Sequence, residues 1–145
     1  MNAKKIAIGS DHAGFELKEI LKQYLTDKGI EVIDFGTHSA DSVDYADYAH
    51  PLANAIEDGS CEAGITICGS GNGINMTVNK HRGIRAALCW LPEISRLARA
   101  HNDANVCTLP GRFVSEDTAK EIVDLFLSTP FDGGRHLQRI QKICI

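Results

Sequence analysis

Apolar residues in this chain fall into short aliphatic runs that alternate with stretches of helical spacing. Lys5-Ile6-Ala7-Ile8-Gly9 predicts a first buried strand, followed by the polar turn Ser10-Asp11-His12-Ala13-Gly14. Leu17, Ile20, Leu21, Tyr24 and Leu25 then recur three and four apart, a helix over about 15–28 closed by Gly29. Residues 31–35 predict a second strand ended by Gly36, and the polar stretch 37–47 reads as a functional loop. A helix over about 48–58 turns Ala49, Leu52, Ala53 and Ile56 inward, with Pro51 in its first turn, where a missing N–H matters little. Residues 65–68 predict a third strand, with a short helix after it toward Lys80. A fourth strand over 84–89, a helix over 92–101 and a fifth strand over 106–109 follow. Ser115 opens a helix with two carboxylates in its first turn, running to about Leu127. After Pro130 and Gly133-Gly134, a last amphipathic helix carries Leu137, Ile140 and Ile143.

This alternation predicts one α/β domain over 1–145, with a five-stranded parallel sheet covered on both faces and right-handed crossovers. In such folds the ligand site lies beyond the carboxyl ends of the strands. That rule puts the Asp11-His12 turn, the loop after Cys68 and the Gly111-Arg112 loop on one rim. His101-Asn102 reaches it only if the end of the preceding helix lies there.

Composition narrows the function classes. A net charge of −4 argues against nucleic acid or an anionic membrane as partner, since both want a basic face. No apolar run approaches a membrane span and no apolar leader opens the chain, so neither membrane insertion nor secretion is expected. The five cysteines show no paired spacing, which fits a reduced, cytoplasmic setting.

The chemistry concentrates in Cys68-Gly69-Ser70-Gly71-Asn72-Gly73. Glycines at alternate positions let the backbone take left-handed turns and approach a ligand closely. Successive N–H groups can then converge on an anion, aided by the positive end of a following helix. That field favours a thiolate at Cys68, a base or nucleophile beside a site for developing negative charge. A core cysteine before a tight turn reads equally well. Spacing excludes other loops: a cysteine phosphatase needs Arg where Ile74 stands, a P-loop needs Gly-Lys-Ser/Thr, and Gly-x-Gly-x-Gly matches the dinucleotide fingerprint poorly. No Cys-x-x-Cys pair and no His-Glu-x-x-His helix occurs, so no metal or redox cofactor is indicated, although a flavodoxin-like nucleotide module stays open. Arg135 and Arg139, four apart, share a helix face suited to phosphate, or simply to solvent.

Together, the segment Ile6-Ala7-Ile8-Gly9-Ser10-Asp11-His12-Ala13-Gly14-Phe15, the cysteine–glycine loop, Asn79-Lys80 with Gly83-Ile84-Arg85-Ala86, His101-Asn102-Asp103-Ala104-Asn105 and Gly133-Gly134-Arg135-His136 resemble the type-B ribose-5-phosphate isomerase family, which includes galactose-6-phosphate isomerase subunits. The resemblance implies a Rossmann-like three-layer α/β/α sandwich. It also implies interconversion of D-ribose 5-phosphate and D-ribulose 5-phosphate in the non-oxidative pentose phosphate pathway, without metal or organic cofactor. By the same resemblance Cys68 is the base, Ser70 (threonine in many members) contacts the reacting oxygens, and the amides from Gly69 through Gly71 and Asn72 to Gly73 hold the enediolate. His101 assists ring opening, Asn102 and Asp11 bind sugar hydroxyls, and His12, Arg112, Arg135 and Arg139 surround the phosphate and open-chain sugar. The sites are expected at a homodimer interface; pairing of dimers into tetramers, and preference for a pentose over a hexose 6-phosphate such as allose or galactose phosphate, stay open. Ala46 stands in Asp44-Tyr45-Ala46-Asp47-Tyr48 where the family often has proline.

Overall fold

A computed structural model describes residues 1–145. Five strands, β1 (Lys5–Ser10), β2 (Glu31–Asp34), β3 (Ala63–Cys68), β4 (Ala86–Leu88) and β5 (Val106–Pro110), form one parallel sheet in the order β2-β1-β3-β5-β4. On one face lie α1 (Phe15–Asp27), α4 (Pro92–Asn102) and α5 (Glu116–Ser128), packed with Leu21, Leu25, Ile122 and Phe126 onto Ile6, Ile8, Ile65 and Ile67. On the other lie α2 (Tyr45–Glu57) and α3 (Asn72–Val78), whose Leu52, Ala53, Ile74 and Val78 meet Ala7, Cys68 and Val106. The expected three-layer α/β/α sandwich is therefore present. Its connections leave β1 and β3 in opposite directions, so a crevice opens where those two strands end.

Several boundaries differ from the sequence pattern for local reasons. β3 begins at Ala63, two residues early, because Gly64 lets α2 approach: a methyl group there would sit 2.8 Å from Ile56 and 3.0 Å from Leu52. α2 begins at Tyr45 after the extended Asp44, which puts Pro51 in the second turn rather than the first. The polar loop thereby shortens to 37–44. β4 shrinks to three residues because the Asn79 amide pairs with its first residue: Ala86 N–H donates to Oδ1 at 2.9 Å, and Nδ2 donates to Ala86 C=O at 3.0 Å. The last helix, α6 (Arg135–Ile140), has only six residues and buries none of them. Leu137 and Ile143, expected on an inner face, are exposed.

One ion pair joins α1 to β2. The fully buried Lys18 ammonium donates to Asp34 Oδ2 at 2.5 Å and to Glu19 at 2.7 Å, while Gly36 N–H and Lys22 also reach the Asp34 carboxylate. Burial pushes the Asp34 carboxyl up, but the Lys18, Gly36 and Lys22 hydrogen bonds outweigh it, and the carboxyl titrates below its ordinary range.

Candidate active site

The crevice at the ends of β1, β3 and β5 collects the first group of expected residues. Asp11 follows β1 directly; its Oδ1 accepts from Gly14 N–H at 3.1 Å, which folds the turn and leaves the other oxygen available. His12 Nδ1 accepts from Val43 N–H at 3.2 Å. That nitrogen is therefore unprotonated, so the neutral ring carries its proton on Nε2 and can donate it outward. The same bond ties the 37–44 loop to the rim.

Cys68 ends β3, and residues 69–71 lead into α3. Gly71 takes φ +80°, the left-handed conformation expected for the turn. Gly69 and Gly73 lack positive φ; they supply space instead. A methyl group at Gly69 would meet Arg112 Nη1 at 3.2 Å, and one at Gly73 would collide with the Tyr45 ring. Gly111 N–H donates to Cys68 C=O at 2.8 Å and Arg112 N–H to Gly69 C=O at 3.0 Å, which zips the β5 turn onto the cysteine loop. The amides of Gly69, Ser70, Gly71, Gly73 and Ile74 donate to no acceptor in the chain, whereas Asn72 N–H bonds Ser70 Oγ at 3.2 Å. Five free donors, one helix start and the Arg112 guanidinium thus surround the strand end, a cradle for an oxyanion. Cys68 sits under it, 4% exposed, at the upper edge of the apolar layer beneath α2 and α3. The sulfur is shielded from bulk water while its loop faces the crevice.

The second group lies elsewhere. α4 runs back from the end of β4 to the start of β5, so His101 and Asn102 sit at the amino-terminal edge of the sheet, not on the cysteine rim. Asn105 C=O accepts from Gly64 N–H at 2.9 Å, whereas Cys68 pairs with Pro110. Four residues of strand separate these levels, roughly 13 Å. There His101 stacks on His136 at 4.3 Å with an interplanar angle of 11°, and its Nε2 stands 4.0 Å from Asp132. Burial, then His101 and Arg135, hold the His136 imidazole below its usual titration range, with Asp132 opposing. Although His101, Asp132 and His136 cluster within 4.8 Å, near-parallel rings aim their lone pairs into separate planes, so the cluster is poorly shaped to chelate one ion. Arg135 and Arg139 project from α6 beside it. A cavity of about 680 Å³ opens at this same edge, lined by Lys80, Arg82, Arg85, Asn102 and Ile143.

Charge pairing distinguishes the arginines. Arg85, Arg96 and Arg99 face carboxylates and Arg82 donates to Ile145 C=O, whereas Arg112, Arg135 and Arg139 have no such partner, so these three guanidinium groups remain free for an anion. Tyr45, whose ring lies over Gly73, was missed by the sequence reading because the pattern left it in the loop. His136 stood in a recognised segment, but nothing in its spacing signalled the stack on His101.

Comparison with known proteins agrees with this architecture. A family model described as Ribose/Galactose Isomerase matches residues 6–143. Ribose-5-phosphate isomerase B of Escherichia coli is 46% identical over 140 residues, covering 97% of this chain and 94% of that protein. The crystal structure of a ribose 5-phosphate isomerase from Thermotoga maritima is 57% identical, covers 96% of each chain and superposes with a TM-score of 0.95. Ribose-5-phosphate isomerase B of Mycoplasma genitalium, solved with bound ribulose-5-phosphate, is 42% identical over 96% of this chain and 93% of its own, with a TM-score of 0.92. With the fold and nearly the full length in agreement, the chain belongs to the ribose/galactose isomerase family.

Proposed function

We propose that this protein is an aldose–ketose isomerase that interconverts D-ribose 5-phosphate and D-ribulose 5-phosphate through an enediolate, the step it would perform in the non-oxidative pentose phosphate pathway. The observation that carries the reading is the set of unpaired amides over Cys68, with free arginines to hold a phosphate. The names of its relatives support the substrate class.

A proton beside a carbonyl is weakly acidic, so its removal requires stabilisation of the charge arriving on oxygen. Preorganised N–H donors contribute about 3 kcal/mol each to that. The Cys68 thiolate takes the C2 proton of the open-chain aldose while the C1 oxygen gains charge in the cradle of residues 69–74. The resulting thiol returns the proton to C1 of the enediolate, acting as base and then acid. Ser70 contacts the two reacting oxygens, and a proton shifts from O2 to O1. Because ribose phosphate is mostly cyclic, a second group must first deliver a proton to the ring oxygen; His101 suits this, since imidazole titrates near neutrality. Asn102 and Asp11 bind hydroxyls, and His12, Arg112, Arg135 and Arg139 hold the remote phosphate, whose binding energy keeps the reacting carbons in place.

These roles need both residue groups at one substrate, yet one chain holds them at opposite sheet edges. We therefore infer a homodimer in which His101, Asn102, Arg135 and Arg139 of one subunit face the Cys68 loop of the other. The exposed Leu137 and Ile143 beside α6 give such an interface apolar area. Five free thiols fit a reducing cytoplasm.

Side-by-side assays on ribose 5-phosphate and allose 6-phosphate test the reading. Turnover of the pentose at a kcat/KM at least tenfold higher supports it, preference for the six-carbon sugar moves the substrate, and inactivity on both defeats it.

A further inference from the structure

Beneath the glycine loop lies a polar chain within an otherwise apolar layer. Thr66 of β3 and Thr108 of β5 are register partners, both fully buried, with hydroxyl oxygens 2.8 Å apart. Thr108 Oγ1 lies 2.8 Å from Oδ1 of Asn75, in α3. A carbonyl oxygen has no proton to give, so the Thr108 hydroxyl must donate to Asn75 and accept from Thr66. The direction Thr66 → Thr108 → Asn75 follows, and it fixes the plane of the Asn75 amide.

The placement of this chain gives it leverage on the reaction. Successive strand residues alternate faces, so Thr66 and Cys68 project from the same side of β3, one step apart. Asn75 is one helical turn beyond Gly71, and its own N–H donates to Gly71 C=O at 3.1 Å. At the start of α3 Asn72 N–H donates to Ser70 Oγ of its own loop, and the hydrogen bond from Thr77 Oγ1 to Gly73 C=O stays within the helix. The Thr108–Asn75 bond thus ties the first turn of α3 to the sheet, whereas the Asn79 amide ties the far end of the helix to β4. Packing alone would be served as well by valine at 66 and 108. Buried hydroxyls cost free energy unless every bond is made, and once made they fix one geometry where apolar contacts allow several.

We propose that Thr66, Thr108 and Asn75 are positioning residues for the isomerisation: they lock the first turn of α3, and with it the amides of Gly73 and Ile74, in register with Cys68. The inference rests on Cys68 as the base. None of the three needs to touch the sugar; their effect is on where the donors stand when the enediolate forms.

Thr108→Val keeps the shape, removes the donor and leaves Asn75 Oδ1 unpaired. It should lower kcat about tenfold with KM changed less than twofold, since small misplacements of catalytic groups are costly. Thr108→Ser, which restores the hydroxyl, should recover kcat to within about twofold, a rescue that lost packing would not give. Asn75→Ala leaves the threonine pair intact, provides the same test should the valine variant fail to fold, and should also lose kcat selectively. Wild-type kcat in Thr108→Val or Asn75→Ala, or losses that serine at 108 does not repair, would overturn the proposal. Cys68→Ser measured alongside separates the premises: an inactive serine variant beside an unimpaired Thr108→Val sinks the network alone, while an active serine variant sinks the base and the network with it.

Discussion

At the scale of single residues, the reading turns on one sulfur and a few guanidinium groups. Cys68→Ala removes the proposed base and a small volume, so turnover should fall about 10³-fold, within the range for general bases. Far-ultraviolet circular dichroism should be unchanged, and near-normal rates would defeat the assignment. Arg135→Ala and Arg139→Ala would each delete a proposed charge-assisted contact to phosphate, and should raise KM about tenfold while sparing kcat more; an unaltered KM would remove their role. The rim residues Asp11, His12, Cys68 and Arg112 were legible in the sequence because each lies at a strand end or within two residues of one, and the strand-end rule then places them. Tyr45 was not, because its importance comes from the space Gly73 leaves, a contact between two elements rather than a pattern within one.

Among the elements, the α1–β2 tie carries the clearest energetic consequence. Asp34→Asn leaves the buried Lys18 ammonium with only the half-exposed Glu19 as counter-charge, and should cost about 3 kcal/mol in denaturant unfolding. The double variant Lys18→Met with Asp34→Asn should recover much of that loss. The pH dependence has a definite sign: the folded-state carboxyl of Asp34 titrates below the ordinary carboxylate range, so its contribution is present above that range. Stability is lost as pH falls through the depressed folded value, and Asp34→Asn should flatten that part of the acid limb. The strands were legible because β1, β3 and β5 are buried as continuous apolar runs, and the half-buried edge strands β2 and β4 are short apolar runs bounded by glycine or polar turns. Helix ends were less so. Asp44 starts α2 early with no side-chain cap, and the apolar side of α6 finds nothing to cover it within the chain, which the amphipathic pattern could not reveal.

For the whole molecule, the decisive fact is that the two residue groups occupy opposite edges of one sheet. Sequence order showed both groups but not their separation, which depends on α4 running against the strands. If one copy completes the other, two dead variants should restore each other. Cys68→Ala and His101→Ala subunits, unfolded together and refolded in equal amounts, should regain about a quarter of wild-type activity, because half the dimers are mixed and each mixed dimer has one intact site. A mixture as inactive as its parts would show that each chain works alone. The manner of joining is constrained as well. Where Asn79 lends its amide to Ala86, the outermost strand meets a rung supplied by its own chain, which shortens the edge open to a neighbour's strand. Crowded copies of this enzyme are thereby steered away from fibre-like stacking along that edge, which suits the closed pairing proposed above.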